Sequence, residues 1–117
     1  MPVFSTVTVT AVSTVAATSS RWVPLNRGAG EFKVGFQVVV TSGAGNLTYK
    51  VQHTMDDVFD ATVTPTAFDH STVSGKTASF HGSYDYPITA IRLTVVSGSM
   101  GGSGTDPFAV MTVLQPG

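Results

Sequence analysis

The side chains with most chemistry to offer lie between His53 and His70. Asp56, Asp57, Asp60 and Asp69 fall in this stretch, four of the chain's seven acids, with no lysine or arginine among them. Calcium takes roughly six to eight oxygen ligands, and an acidic loop can supply several. The spacing matches no EF-hand loop, however, and the mixture of His53 and His70 with aspartates matches no zinc pattern. Loop aspartates that accept hydrogen bonds from nearby backbone amides explain the same residues. The four carboxylates are therefore only weak metal candidates, and no cofactor is expected. Nucleophilic catalysis needs a nucleophile, a base and an orienting group in contact. No serine here sits in a G-x-S-x-G elbow or similar context, and His81 reads as a surface or interface residue. The glycine-rich Gly98-Ser99-Met100-Gly101-Gly102-Ser103-Gly104 lacks the lysine and the following helix of a phosphate loop. No catalytic residue is assigned, and a non-enzyme is expected.

These residues hang on a chain dominated by one pattern. Phe32, Val34, Phe36, Val38 and Val40 occupy every second position, the period of a strand with one buried face. After Ser42-Gly43-Ala44-Gly45-Asn46, where glycine and asparagine favour a tight turn, Leu47, Tyr49 and Val51 alternate with Thr48, Lys50 and Gln52. The stretch predicts a hairpin. Thr6–Ala11 alternates as well, and the phase slips near Val12, which suggests a bulge. Arg21 to Asn26 reads as a short strand or strand end, because Pro24 lacks an amide donor. Arg27-Gly28-Ala29-Gly30 reads as a turn.

From Met55 to about Ser71 a long connection is predicted, with Val58, Phe59 and Phe68 pinning it to the end of the fold. Val73 to His81 is a weaker strand interrupted by Gly75, and Tyr84-Asp85-Tyr86-Pro87 is a turn. Ile91, Leu93 and Val95 mark a strong strand over 88–97, and 108–114 closes the chain, the two predicted to form a second hairpin. No helical period is present. About seven strands with turns between them predict a single antiparallel β-sandwich over residues 1–117, immunoglobulin-like or jelly-roll, with 1–20 an N-terminal edge strand or arm.

Charge restricts the partners. Charged residues are 11% of the chain, against about 25% in an average soluble domain, and the net charge is −1. That offers no basic footprint for nucleic acid and no cationic face for lipid. No run approaches the roughly 20 apolar residues of a membrane helix. Neither nucleic acid nor membrane is expected as a partner. With no cysteine there is no disulfide framework. Met1-Pro2-Val3-Phe4 carries neither a basic segment nor a long apolar run, so synthesis in a cytoplasm is expected rather than secretion.

A weakly charged surface does little to keep copies apart. Residues 1–20 hold no charge at all, and an unguarded valine–threonine strand at a sheet edge invites another strand. Either a neighbouring strand of the same fold covers it or another subunit does. Val3, Phe4, Val7 and Val9 are the candidate partner contacts, with Trp22 and Arg92 as secondary ones. Trp22 alone reads as a core plug or lid, and Arg92 as an outward arginine on a sheet.

The block Leu47-Thr48-Tyr49-Lys50-Val51-Gln52-His53-Thr54-Met55-Asp56-Asp57-Val58-Phe59-Asp60 resembles a recurrent segment of small virion proteins of tailed bacteriophages. So does Pro87-Ile88-Thr89-Ala90-Ile91-Arg92-Leu93-Thr94-Val95-Val96-Ser97-Gly98 with the closing Val113-Leu114-Gln115. These are capsid decoration, or cement, proteins and related minor structural proteins, and the likeness spans roughly residues 32–115. It implies a β-sandwich made in the host cytoplasm that sits on the capsid exterior of the virion. Such a protein binds the major capsid protein and itself, a trimer being favoured over a dimer. It carries over no catalytic residues. Two other readings remain: a tail or fibre module binding host glycan through Tyr84 and Tyr86 beside Asp85, and a calcium-dependent adhesion domain built on Asp56, Asp57, Asp60 and Asp69.

Overall fold

Alternation accounts for the strands one at a time. In β1 (Val3–Thr10) Val7 and Val9 are buried while Thr6 and Thr8 face solvent. β2 (Thr18–Ser19) and β3 (Val23–Pro24) are two-residue strands. β4 (Val34–Thr41) buries Val34, Phe36 and Val38, and β5 (Asn46–Thr54) buries Leu47, Tyr49, Val51 and His53. β6 (Phe68–Lys76) and β7 (Phe80–Tyr84) follow. β8 (Ala90–Ser99) buries Ile91, Leu93 and Val95, and β9 (Phe108–Gln115) buries Ala109, Met111 and Val113. The computed structural model describes residues 3–10, 18–25, 33–41, 46–99 and 108–115, and among them every regular element is a strand. The readings of a bulge near Val12, of turns at 42–45 and 27–30 and of the loop beyond Ser99 lie outside the described residues.

The strands form two antiparallel sheets. Sheet I has the order β1-β9-β4-β7; sheet II has the order β2-β8-β5-β6, with β3 also paired to β8. Their inner faces share one hydrophobic core running from Val7 and Val9 through Phe36, Tyr49 and Leu93 to Met111. Burying that apolar surface is the main favourable term in folding. One bulge interrupts β5 against β8, between Thr48 and Tyr49.

Neither predicted hairpin forms. β4 and β5 belong to opposite sheets, β4 pairing β7 and β9, and β5 pairing β6 and β8. β8 and β9 likewise lie in opposite sheets. Alternation says that a strand buries one face, and a sandwich satisfies that equally well beside a neighbour or across the core from it. The weaker strand expected over 73–81 is two strands, β6 and β7, in different sheets; Gly75 does not break β6 but adopts φ 68° within it.

With β2 and β3 taken as one interrupted edge, two four-stranded sheets are built from eight strands. The chain changes sheet at every connection except β5 to β6, and its last strand inserts between β1 and β4. That is the wrapping of a jelly roll. An immunoglobulin sandwich would keep its first two strands in one sheet.

Candidate functional site

Sheet I is uncharged from edge to edge. None of β1, β4, β7 or β9 contains a lysine, arginine, aspartate or glutamate. The register builds its outer face in rows: Thr6, Thr112, Gln37 and His81 in one, and Thr8, Val110 and Val39 in the next. Thr6 and Thr112 bring their hydroxyls to 3.5 Å, while Val39 and Leu114 stand nearly half exposed (46% and 48%). Gly35 has no side chain to fill the space beside Leu114. Two adjoining hollows of about 390 and 400 Å³ open there, one lined by Gln37, His81 and Thr112, the other by Lys33, Ser83 and Asp85.

The two edges of sheet I differ. β1 pairs with β9 along its whole length on one side, and among the described residues no strand pairs its other side. An antiparallel strand turns alternate N–H and C=O groups to each side, so β1 offers a row of them outward. β7 is tied to sheet II by a side chain. His70 on β6 accepts at Nδ1 from the amides of Thr72 and Val73 (3.2 and 3.1 Å), which leaves Nε2–H to donate to the Ser83 carbonyl at 3.0 Å. Among the described residues neither β1 nor β7 has a strand on its outer side, and β7 carries this one bond from β6 to its main chain.

The sequence candidates separate on this frame. Val3 and Phe4 open β1 opposite Gln115 and Leu114. Val7 and Val9 are 6% and 4% exposed, so their side chains belong to the core and only their backbone can meet a partner. Beside them, Arg21 Nη2 donates to Ser5 Oγ at 3.0 Å. The strand is an edge strand and not a detachable arm.

Trp22 and Arg92 lie on sheet II, away from that edge. The Arg92 guanidinium carbon sits 4.4 Å from the Trp22 ring centre, a cation–π contact, so Trp22 covers an arginine rather than plugging the core. Arg92 Nε donates to Gln52 Oε1 at 3.0 Å, and Thr94 Oγ1 donates to the same oxygen at 3.1 Å. Gln52 Nε2 in turn donates to Asp69 Oδ1 at 2.9 Å, and Lys50 pairs with Asp69 at 3.3 Å. Ser19 and Thr94 join their hydroxyls at 2.9 Å. Arg92 is the outward sheet arginine expected, bonded to an amide and not to a carboxylate.

The four aspartates are not brought together. Asp56 Oδ2 accepts from the Thr66 amide at 2.7 Å, Asp57 Oδ1 from the Phe59 amide at 2.9 Å, and Asp60 Oδ1 from the amide and hydroxyl of Thr62. These are turn-forming bonds; the Thr62 bonds hold Asp60 below the ordinary carboxylate pKa. Asp69 is lowered first by its Gln52 hydrogen bond. Among the described residues no group of three or more histidines or acids could hold a metal. Phe59, 75% exposed, faces solvent and does not pin the loop as predicted.

His53 and His70 instead face inward around Tyr84. His53 Nδ1 lies 2.9 Å from the Tyr84 hydroxyl, and both imidazoles meet the Tyr84 ring edge-on at 4.9 and 4.8 Å. Burial is the main cause that lowers the His53 pKa. Tyr84 is 1% exposed, which removes it from the proposed glycan platform and leaves Tyr86 and Asp85. What sequence reading missed was the neutral sheet. Its four segments are visibly uncharged, but only the strand order shows that they are neighbours.

No family model and no curated protein matches the chain. Among solved structures it is similar to a chain from Bacillus endospore appendages, described as a novel family of disulfide-linked pili. The identity is 11%, the match covers 98% of this chain and 85% of that one, and the TM-score is 0.40. The present chain has no cysteine.

Proposed function

We propose that the chain is a non-enzymatic virion structural protein, a capsid decoration or cement protein that binds the major capsid protein on the outside of a phage head. The observation that carries association is sheet I, free of charge across all four strands and, among the described residues, without a strand on the outer side of β1. The head as the place of association rests on the resemblance of residues 32–115. A strand edge recognises another strand through main-chain hydrogen bonds, and neighbouring hydroxyl and valine side chains set the fit. A protein that binds only the assembled shell stabilises that shell by mass action. No catalytic step is required of any residue.

Antibody raised against the purified protein and applied to particles from the strain that carries its gene tests this reading. Label distributed over the head is the expected result. Label confined to the tail, or no label on intact particles, would overturn it.

A further inference from the structure

We infer that two copies of the chain pair antiparallel through β1 across a two-fold axis, joining their sheets I into one eight-stranded sheet. The pairing stands or falls independently of where on a particle the protein sits.

Three observations lead to it. First, among the described residues no strand pairs the outer side of β1 along Val3–Thr10, and what satisfies the main-chain donors and acceptors of such a row is another strand. Second, among the described residues the sheet has two outer strands, β1 and β7, and β1 is the longer by three residues. A head-to-tail ring or filament of sheets would need β7 as its second surface, but β7 has five residues and is tied to β6 through His70 and the Ser83 carbonyl. β1 meeting its own kind makes an isologous contact, and the symmetry of an isologous contact is two-fold. Third, β1 carries no charge, so its apposition with a copy of itself meets none of the like-charge repulsion that disfavours most cross-strand self-pairs.

The pleat then fixes the register. Val7 and Val9 face the core while Thr6 and Thr8 face out, and a one-residue slip would set inward against outward side chains. Odd positions must therefore oppose odd positions. The two registers closest to full overlap of Val3–Thr10 place the axis at Thr6 or at Val7. A two-fold pair replaces the trimer that the resemblance suggested.

The absence of cysteine makes the test clean. With the axis at Thr6, Thr6→Cys sets two thiols directly opposite. With the axis at Val7, position 6 faces position 8 of the other copy, and the pair Thr6→Cys/Thr8→Cys reads that register. Directly opposed Cβ atoms lie about 4.5–5.5 Å apart, and its lower end meets the reach of a disulfide. After mild oxidation, the double variant is expected to run as a covalent dimer on a non-reducing gel with no larger species, joined by the single variant if the axis lies at Thr6 and alone if it lies at Val7. No dimer from either variant, with the far-ultraviolet spectrum unchanged, would overturn the pairing, and so would a ladder beyond two chains. As a second arm, Thr6→Lys/Thr8→Lys places like charges opposite each other on the solvent face without touching the core. The expected result is at least a tenfold weaker self-association; an unchanged association constant would overturn the pairing.

Discussion

Gly82 and Gly35 lie on paired strands of sheet I and lead to opposite expectations. A Cβ on Gly82 would lie 2.8 Å from Phe36 Cζ, 3.2 Å from Val73 Cγ2 and 3.3 Å from His70 Cε1, all packed in the interior. Gly82→Ala should therefore lower the unfolding free energy by about 1–3 kcal/mol, the usual cost of overpacking. At Gly35 the nearest atom is 4.0 Å away, and Gly35→Ala should raise stability by roughly 0.5–1 kcal/mol. Urea denaturation of the two variants beside the wild type checks both signs. Gln52→Ala removes the amide that joins Arg92, Thr94 and Asp69, and should lower stability by about 1–3 kcal/mol. His53 brings a pH dependence. Its folded pKa is lowered, chiefly by burial, so the unfolded chain binds the proton more readily. Stability should be full above the ordinary imidazole value of about 6.5 and fall as pH drops below it. His53→Gln should flatten that slope between pH 7 and pH 5.5. Ile91, Leu93 and Val95 could be placed in the core from alternation alone. The inward turn of His53 and His70 could not, because their partner Tyr84 comes from the opposite sheet.

At the scale of the element, β1 is the strand whose meaning changed most. Read from sequence it could be an arm or an edge; Val7 and Val9 in the core make it an edge. Deleting residues 1–10 would remove two buried valines, worth about 1.5–3 kcal/mol each, and would leave β9 without one neighbour. Against a typical stability of about 5–15 kcal/mol, the truncated chain should melt many degrees lower or bind hydrophobic dye at room temperature. A thermal scan of the truncated protein checks this. The strands themselves were legible, since the period of two needs only local sequence, and β4, β5, β8 and β9 lie where alternation put them. Their partners were not legible. The same inward-facing residues Val38 and Val51 fit a hairpin or two facing sheets, and the choice rests on long-range pairing, such as β9 inserting between β1 and β4.

For the whole molecule, strand order turns a scatter of neutral segments into one neutral sheet, while the charged Lys50, Asp69, Lys76 and Arg92 all stand on strands of sheet II. A molecule divided in this way has one sheet whose own strands bring no charge to a meeting of copies, with Arg21, Lys33 and Asp85 at its margins. Low overall charge was plain in the composition; that the charges carried by strands all fall on one sheet required the fold. The central claim is association through the β1 edge of that neutral sheet, and sedimentation equilibrium of the wild-type protein across a concentration series tests it most directly. The account predicts a mass of twice the 12.2 kDa chain, falling toward a single chain on dilution or in Thr6→Lys/Thr8→Lys. A single-chain mass at the highest concentration, or a stable trimer, would contradict it.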